Sequence, residues 1–267
     1  MQIATGNNML NFGYWVDHAV DPQTAQNKLC ELIGKISDLN VARTVLDIGS
    51  GFSAPAFYWK SQYKDINITC MNTNFQQLLL ATKLSGSIIT SQKDNSTFLP
   101  NNDMMFVNAT STSLPLADNS VDRIIALESA QHFKPFDQFI RESKRVLRKE
   151  GLFVIAIPVI KTPVKSSLFI KLGILSLTWA SEHYNLDHIK SAIITEGFNI
   201  SEIHLIGTHV YDPLADYYMK NRKYLKEKIL KKYSSYLENI LNKSLLKMKK
   251  VSQKGIIDYA IIKCTSK

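Results

Sequence analysis

Apolar residues recur along the first forty positions at the spacing of one helical face: Ala25, Leu29, Leu32, Ile33 and Ile36. Asp21-Pro22 precedes them, an N-cap carboxylate followed by a proline at the first helical position. The pattern then changes. Thr44 to Ile48 is a short, almost wholly apolar run ending in Gly49-Ser50-Gly51, which reads as a buried strand entering a tight turn. A helix from about Ala54 to Lys60, a strand over Ile66 to Met71, a helix over Phe75 to Leu84 and a strand over Met104 to Val107 follow. Asp118-Asn119 introduces another strand, Val121 to Leu127. An amphipathic helix over Phe136 to Leu147 closes at Lys149-Glu150-Gly151, and a strand over Leu152 to Ile157 stops at Pro158. Strands with nearly all-apolar cores, alternating with helices, predict a mostly parallel sheet covered on both faces.

After Pro158 the rhythm is lost. Residues 160–186 are irregular and apolar. A helix over Leu186 to Gly197, a strand over Phe198 to Ile206, a broken helical stretch from Pro213 to about Lys250 and a last strand over Gly255 to Ile262 complete the chain. The 267 residues suit one structural domain in three parts. These are an N-terminal cap segment and helix (1–40), a core (41–158), and a second half (159–267) with helices at about 210–250 and a closing strand.

Composition changes little: 45% hydrophobic and 21% charged residues describe an ordinary globular chain. Met1 to Tyr14 lacks the basic and apolar regions of a signal peptide. The longest apolar stretch, Leu168 to Ala180, is interrupted by Lys171 and too short to span a bilayer. Cys30, Cys70 and Cys264 are odd in number and widely spaced, which suggests a reducing compartment and neither a disulfide framework nor a zinc site. The expected location is cytoplasmic, and no His/Asp cluster has metal-ligand spacing.

The net charge of +9 changes more, because it is local. Lys220 to Lys254 holds 12 Lys and Arg against only Glu227 and Glu238, leaving the remainder close to neutral. Leu225, Ile229, Tyr233, Tyr236, Leu237, Ile240, Leu241, Leu245 and Met248 recur among these lysines at helical spacing. The plain reading is an amphipathic lid with a solvated lysine face. A sharper one is a surface that meets an anionic membrane, or a phosphorylated or acidic substrate. Nucleic acid is disfavoured, because spaced aromatics on a strand face are missing. A homodimer is compatible with the sequence.

Chemistry concentrates at Val45-Leu46-Asp47-Ile48-Gly49-Ser50-Gly51. A strand delivers the chain to a turn where glycines remove the Cβ atoms, so that a ligand can lie against backbone N–H groups at a helix N-terminus. A dinucleotide-binding turn would want a third glycine, and Ala54 stands in its place. The seven residues resemble motif I of the class I S-adenosylmethionine-dependent methyltransferases. Leu114-Pro115-Leu116-Ala117-Asp118-Asn119-Ser120-Val121-Asp122 resembles that family's stretch before strand four, and Arg145-Val146-Leu147-Arg148-Lys149-Glu150-Gly151 its turn before strand five. Asn11-Phe12-Gly13-Tyr14-Trp15, Ala126-Leu127-Glu128-Ser129-Ala130-Gln131-His132-Phe133 and the strand from Gly255 to Lys263 resemble segments of its small-molecule branch, which acts on tocopherols, sterols, macrolide sugars and other natural products.

The resemblance implies a doubly wound, Rossmann-like α/β fold: a mostly parallel seven-stranded sheet with an antiparallel last strand and a helical lid. It implies S-adenosylmethionine as cofactor. Asp47, Gly49, Ser50 and Gly51 would lie along its methionine part. Asn72, Thr73 and Gln76 (or Gln77) would meet the ribose, and Ala109, Thr110 and Ser111 the adenine. Asn72 and Thr110 are neutral where the family has acids, which replaces charge-assisted contacts by weaker ones. Tyr14, with Trp15, would close over the cofactor or simply pack on the following helix. His132, after strand four, is the candidate base for an oxygen acceptor. Glu128 is the alternative, as base, orienting group or cofactor contact. His183, Asp187 and His188 are weaker candidates for the substrate pocket.

Transfer to a hydroxyl of a small-molecule or lipid-like acceptor is the leading expectation. A methyltransferase of RNA or protein is a rival, disfavoured because Glu128-Ser129-Ala130-Gln131 stands where N-methylating enzymes carry Asn-Pro-Pro-Tyr. A degenerate, non-catalytic partner subunit is the other, kept open by Asn72 and Thr110.

Overall fold

The computed structural model describes residues 8–17, 19–85, 104–161 and 185–266. The first half contains α1 (Pro22–Ile36), β1 (Thr44–Ile48), α2 (Ala54–Gln62), β2 (Asn67–Asn72), α3 (Phe75–Leu84), β3 (Met104–Asn108) and β4 (Val121–Leu127). The second contains α4 (Phe136–Val146), β5 (Leu147–Ile160), α5 (Leu186–Thr195), β6 (Phe198–Leu205), α6 (Tyr211–Lys220), α7 (Arg222–Leu230), α8 (Ser235–Gln253) and β7 (Ile257–Ser266). All seven strands join one sheet in the order β3-β2-β1-β4-β5-β7-β6. Strands β1 to β5 pair in parallel, and β7 runs antiparallel between β5 and β6. This is the doubly wound, Rossmann-like sheet that the sequence predicts.

The two-residue period of the strands divides the core into two layers. Val45, Ile125, Val154, Tyr259 and Ile261 face α1, α2 and α6 to α8, where Leu29, Trp59, Tyr211, Leu225 and Met248 are buried. Their neighbours Leu46, Ile124, Phe153, Ala260 and Ile262 face α4 and α5, with Phe139, Ile140 and Ile189. At α1 the Asp21 carboxylate accepts from the Thr24 N–H at 3.0 Å, the predicted cap.

Several predicted boundaries move, among them the last strand, which runs Ile257–Ser266 and not 255–262. Strand β5 does not stop at Pro158 but continues to Ile160. Its pairing with β4 ends at Ala156, so Pro158 pairs only with Tyr259 of β7, and a residue without an N–H is tolerated beside a single neighbour. Lys149-Glu150-Gly151 does not close the helix. Helix α4 ends at Val146, and the triplet lies in a bulge inside β5 with Lys149 and Glu150 exposed and Gly151 buried, where the pairing jumps from Val121–Leu147 to Arg123–Leu152 and Glu150 takes φ +63°. The stretch after Pro213 is three helices that begin at Tyr211. The apolar run at 168–180 and His183 lie outside the described residues. Among those described, no helix is long and apolar enough to cross a membrane.

Two of the sequence motifs brace the fold. The Arg145 guanidinium donates to the carbonyls of Leu114 and Leu116 at 2.9 and 2.8 Å, and to the carboxylates of Asp118 and Glu142 at 2.7 and 2.8 Å. Asp122 accepts from the Arg43 and Thr44 N–H groups at 3.0 and 2.9 Å and from Arg148 at 2.6 Å. Arg145→Ala therefore strands several acceptors at once. It is expected to cost about 2–4 kcal/mol, read as a lower urea midpoint at unchanged slope.

Candidate active site

The C-terminal ends of β1 to β4 lie side by side. Asp47 is in register with Cys70 and Ile125, and Asn72 with Asn108. Strand order reverses between β1 and β4, so the crevice expected of a doubly wound sheet opens at the Gly49 turn.

The two glycines of that turn do different jobs. The N–H groups of Gly49 and Ser50 both donate to the Met71 carbonyl, at 2.8 and 3.0 Å. Gly49 has φ +75°, and a Cβ there would stand 2.4 Å from the Ser129 Cβ. The Ser129 hydroxyl donates to the Ile48 carbonyl at 2.6 Å, locking the loop after β4 onto the turn. Gly51, at φ +57°, has among the described residues only Leu10 Cδ1 near its missing Cβ, at 3.6 Å. Gly49 is thus small for Ser129, and Gly51 keeps the open side. Ser50 is buried, with its hydroxyl 3.1 Å from that of Ser53 at the start of α2.

Asp47 is buried under the turn. Its Oδ2 has no hydrogen-bond partner among the described residues, and burial pushes its carboxyl up to about 7. Asn72 donates from Nδ2 to Gln77 Oε1 at 2.7 Å and, longer, to the Gly51 carbonyl at 3.4 Å. The partner on α3 is thus Gln77, and Gln76 is exposed. Asn108 donates to the carbonyls of Asn72 and Thr73 at 2.9 and 3.0 Å, tying the ends of β2 and β3 together. Ala109 is half-buried, Ser111 is buried, and the exposed Thr110 hydroxyl lies 3.0 Å from that of Thr112.

Glu128 follows β4 in the left-handed conformation, φ +49°. Its Oε1 accepts from the Phe12 N–H at 2.9 Å and from the Tyr259 hydroxyl at 3.0 Å. Burial nevertheless raises its carboxyl to about 8. These bonds anchor a strap over residues 9–16, within the N-terminal cap expected from the sequence; its ties to Glu128 and Gln26 were not foreseen. The Gln26 amide donates to the Met9 and Asn11 carbonyls at 3.2 and 2.7 Å, the Tyr14 N–H to Ala25, and the Trp15 N–H to His209. Trp15 is buried, its ring 5.4 Å from that of Tyr217, while the half-buried Tyr14 meets His209 edge-on at 5.8 Å. A glutamine on the apolar face of α1 was the available signal.

His132 ends a short 3₁₀ turn, its N–H donating to the Ser129 carbonyl at 2.9 Å. Ser129 touches Gly49, so His132 stands one turn from the glycine loop. The ring is open to solvent on one side, and desolvation on the other lowers its pKa from the ordinary value. Asp187 and His188 are exposed at the start of α5, where Asp187 pairs with Lys190 at 3.2 Å. No cluster of three metal-ligating side chains occurs among the described residues.

Comparison with known proteins agrees with this geometry. Residues 46–155 match a methyltransferase domain family. The chain is 23% identical over 256 residues to the erythromycin 3''-O-methyltransferase of Saccharopolyspora erythraea, covering 91% of this chain and 78% of that protein. It is 28% identical over 197 residues to methyltransferase GfsG of Streptomyces halstedii, covering 73% and 67%. The mycolic acid cyclopropane synthase CmaA1, solved with S-adenosylhomocysteine, superposes with a TM-score of 0.79 at 18% identity over 99% of this chain and 92% of that one. Residues 46–155 therefore carry a methyltransferase domain, and the chain is similar to S-adenosylmethionine-dependent methyltransferases of natural products.

Proposed function

We propose that this methyltransferase acts in the cytoplasm on a hydroxyl of a small or lipid-like acceptor, with His132 as base. The observation that carries the reading is the path Gly49–Ser129–His132, which sets an imidazole one turn from the glycine loop. The O-methylation in the name of the Saccharopolyspora relative supports the choice of oxygen.

The residues fit the cofactor. The lone Oδ2 of buried Asp47 wants a donor, and an ammonium supplies one. Gly51 leaves room for the methionine chain beside the Ser50 backbone. With Nδ2 of Asn72 spent on Gln77, its Oδ1 is offered to a ribose hydroxyl, Thr73 beside it. Ala109, Thr110 and Ser111 border the adenine, Leu10 lies beside Gly51 at the turn, and Tyr14 of the same strap closes over the cofactor. When bound, the cofactor supplies an electrophilic methyl on a sulfonium. The protein then has to orient, exclude water and take one proton. His132 suits that step, because its lowered pKa keeps the ring neutral near pH 7 and able to accept. Glu128 acts indirectly, as the positioning residue that clasps the strap. Residues 1–40 form the cap, 41–158 the cofactor core, and 159–267 the acceptor side with α6 to α8 as lid. One copy of the chain carries every residue named, so a homodimer is not required.

The test is calorimetric titration with S-adenosylmethionine and S-adenosylhomocysteine, followed by transfer of labelled methyl to hydroxylated macrolide glycosides and sterols. His132→Ala is expected to lower kcat by about 10²- to 10⁴-fold while the cofactor still binds as in the wild type. Unchanged turnover would remove His132 from the mechanism. No cofactor binding at millimolar ligand would overturn the whole reading and favour a non-catalytic partner subunit.

A further inference from the structure

The basic helices carry a second apolar face that the fold does not use. On the inner side Leu225, Ile229, Leu245 and Met248 are buried against the sheet. On the outer side every residue from 230 to 237 is exposed, and the run reads Leu-Lys-Lys-Tyr-Ser-Ser-Tyr-Leu. Leu230 is 43% exposed, Tyr233 51% and Tyr236 71%. One turn back on α7, Tyr224 is also exposed, with Lys228 Nζ 4.5 Å above its ring.

Charge at this corner is unbalanced. Of the two acids between Lys220 and Lys254, Glu238 is buried and spent internally. It takes Arg222 at 2.9 and 3.2 Å and the Tyr218 hydroxyl at 2.9 Å. Only Glu227 remains to offset Lys223, Lys231 and Lys232, all exposed. Tyrosines and leucines standing in water between these lysines match the interfacial zone of a bilayer. There an aromatic ring sits at headgroup depth, an aliphatic tip reaches the acyl boundary, and ammonium groups meet lipid phosphates. A helix corner also differs from the strand-borne aromatic platform used for single-stranded nucleic acid.

We propose that the corner from Leu230 to Leu237, with Tyr224 beside it, docks this enzyme peripherally on the surface of an anionic lipid bilayer. The docking element connects to the active site. The corner joins α7 to α8, and α6, which leads into α7, begins at Tyr211, whose ring lies 6.0 Å from Phe12 of the strap and 6.3 Å from Tyr259, the two partners of Glu128. The inference rests on exposure and charge and is independent of which acceptor is methylated.

Flotation of the full chain with vesicles tests it. The protein is expected to float with phosphatidylcholine–phosphatidylglycerol vesicles, to stay behind with phosphatidylcholine alone, and to be released by high salt. Lys231→Gln with Lys232→Gln is expected to weaken partitioning about thirtyfold, about fivefold per lysine. Tyr233→Ser with Tyr236→Ser should weaken it comparably at low salt. All four side chains are exposed, so the thermal midpoint should not move, and a retained midpoint shows that lost binding is not unfolding. No flotation with anionic vesicles overturns the proposal, as does flotation that both double variants leave intact. Loss of RNA binding in the same variants, with no vesicle binding in the wild type, would make the surface one for nucleic acid and overturn it equally.

Discussion

Gly51→Arg is expected to abolish cofactor binding while leaving the protein folded. The position is open, since among the described residues only Leu10 Cδ1, at 3.6 Å, faces the missing Cβ, so a side chain there projects into space that those residues do not fill. The direct cost to stability is the left-handed backbone at φ +57°, about 1–2 kcal/mol for a residue with a Cβ. The cost to binding is far larger, because a guanidinium would occupy the path of the methionine chain and repel its ammonium. A rise of at least a hundredfold in the dissociation constant, about 2.7 kcal/mol or more, is expected by calorimetry. Gly49→Ala should behave in the opposite way. Its Cβ would sit 2.4 Å from that of Ser129 at φ +75°, so overpacking and strain together should cost about 3 kcal/mol and appear first as a lowered thermal midpoint. A Gly51→Arg protein that still bound S-adenosylmethionine at micromolar concentration would place the cofactor elsewhere.

The contrast between these glycines shows what the sequence could convey. Strand, turn and helix at 44–62 were readable because strand period, glycine turn and helix spacing all agree locally. The motifs at 114–122 and 145–151 were equally readable as strings. Their work is done by Arg145, Asp122 and Arg148 reaching across 26 to 79 positions to backbone groups and partner side chains, and no local pattern displays that reach. The choice between Gln76 and Gln77 is a matter of helical phase. Asn74 caps α3 by accepting from the Gln77 N–H, and that start point turns Gln77 toward Asn72. The long-range anchoring of the N-terminal strap was the largest omission. Glu128 meets Phe12 across 116 residues and Tyr259 across 131, so the glutamate that resemblance offered as base or cofactor contact is committed to closing the chain on itself.

Asp47 makes cofactor binding depend on pH with a sign that can be worked out. In the free enzyme burial holds its carboxyl at about 7, against 3.8 for an ordinary aspartate. A cationic ligand needs the ionised form. Affinity should therefore rise about tenfold per pH unit between roughly pH 5 and 7 and flatten above it. Above about pH 8 it should turn down, as the cofactor's own α-amino group loses its proton. Asp47→Asn should remove the rising limb and lower the plateau by about tenfold or more, because a neutral contact replaces a charge-assisted one. Folding stability must run the other way. Between about pH 4 and 7 the unfolded chain has already released the Asp47 proton while the folded chain keeps it, so the unfolded state binds fewer protons and stability falls as pH rises, by at most about 1.4 kcal/mol per unit. Glu128, raised from 4.5 to about 8, adds a slope of the same sign that extends one unit higher. The two limbs are separable. Glu128→Gln should flatten the upper part of the stability slope and leave the affinity slope in place, whereas Asp47→Asn should flatten the affinity slope and leave the Glu128 share of the stability slope. A wild-type affinity that does not vary between pH 5 and 7, or an Asp47→Asn variant that keeps the rise, would show that the orphaned oxygen of Asp47 is not the partner of the ammonium. The cost of its burial would then need another ligand to offset it.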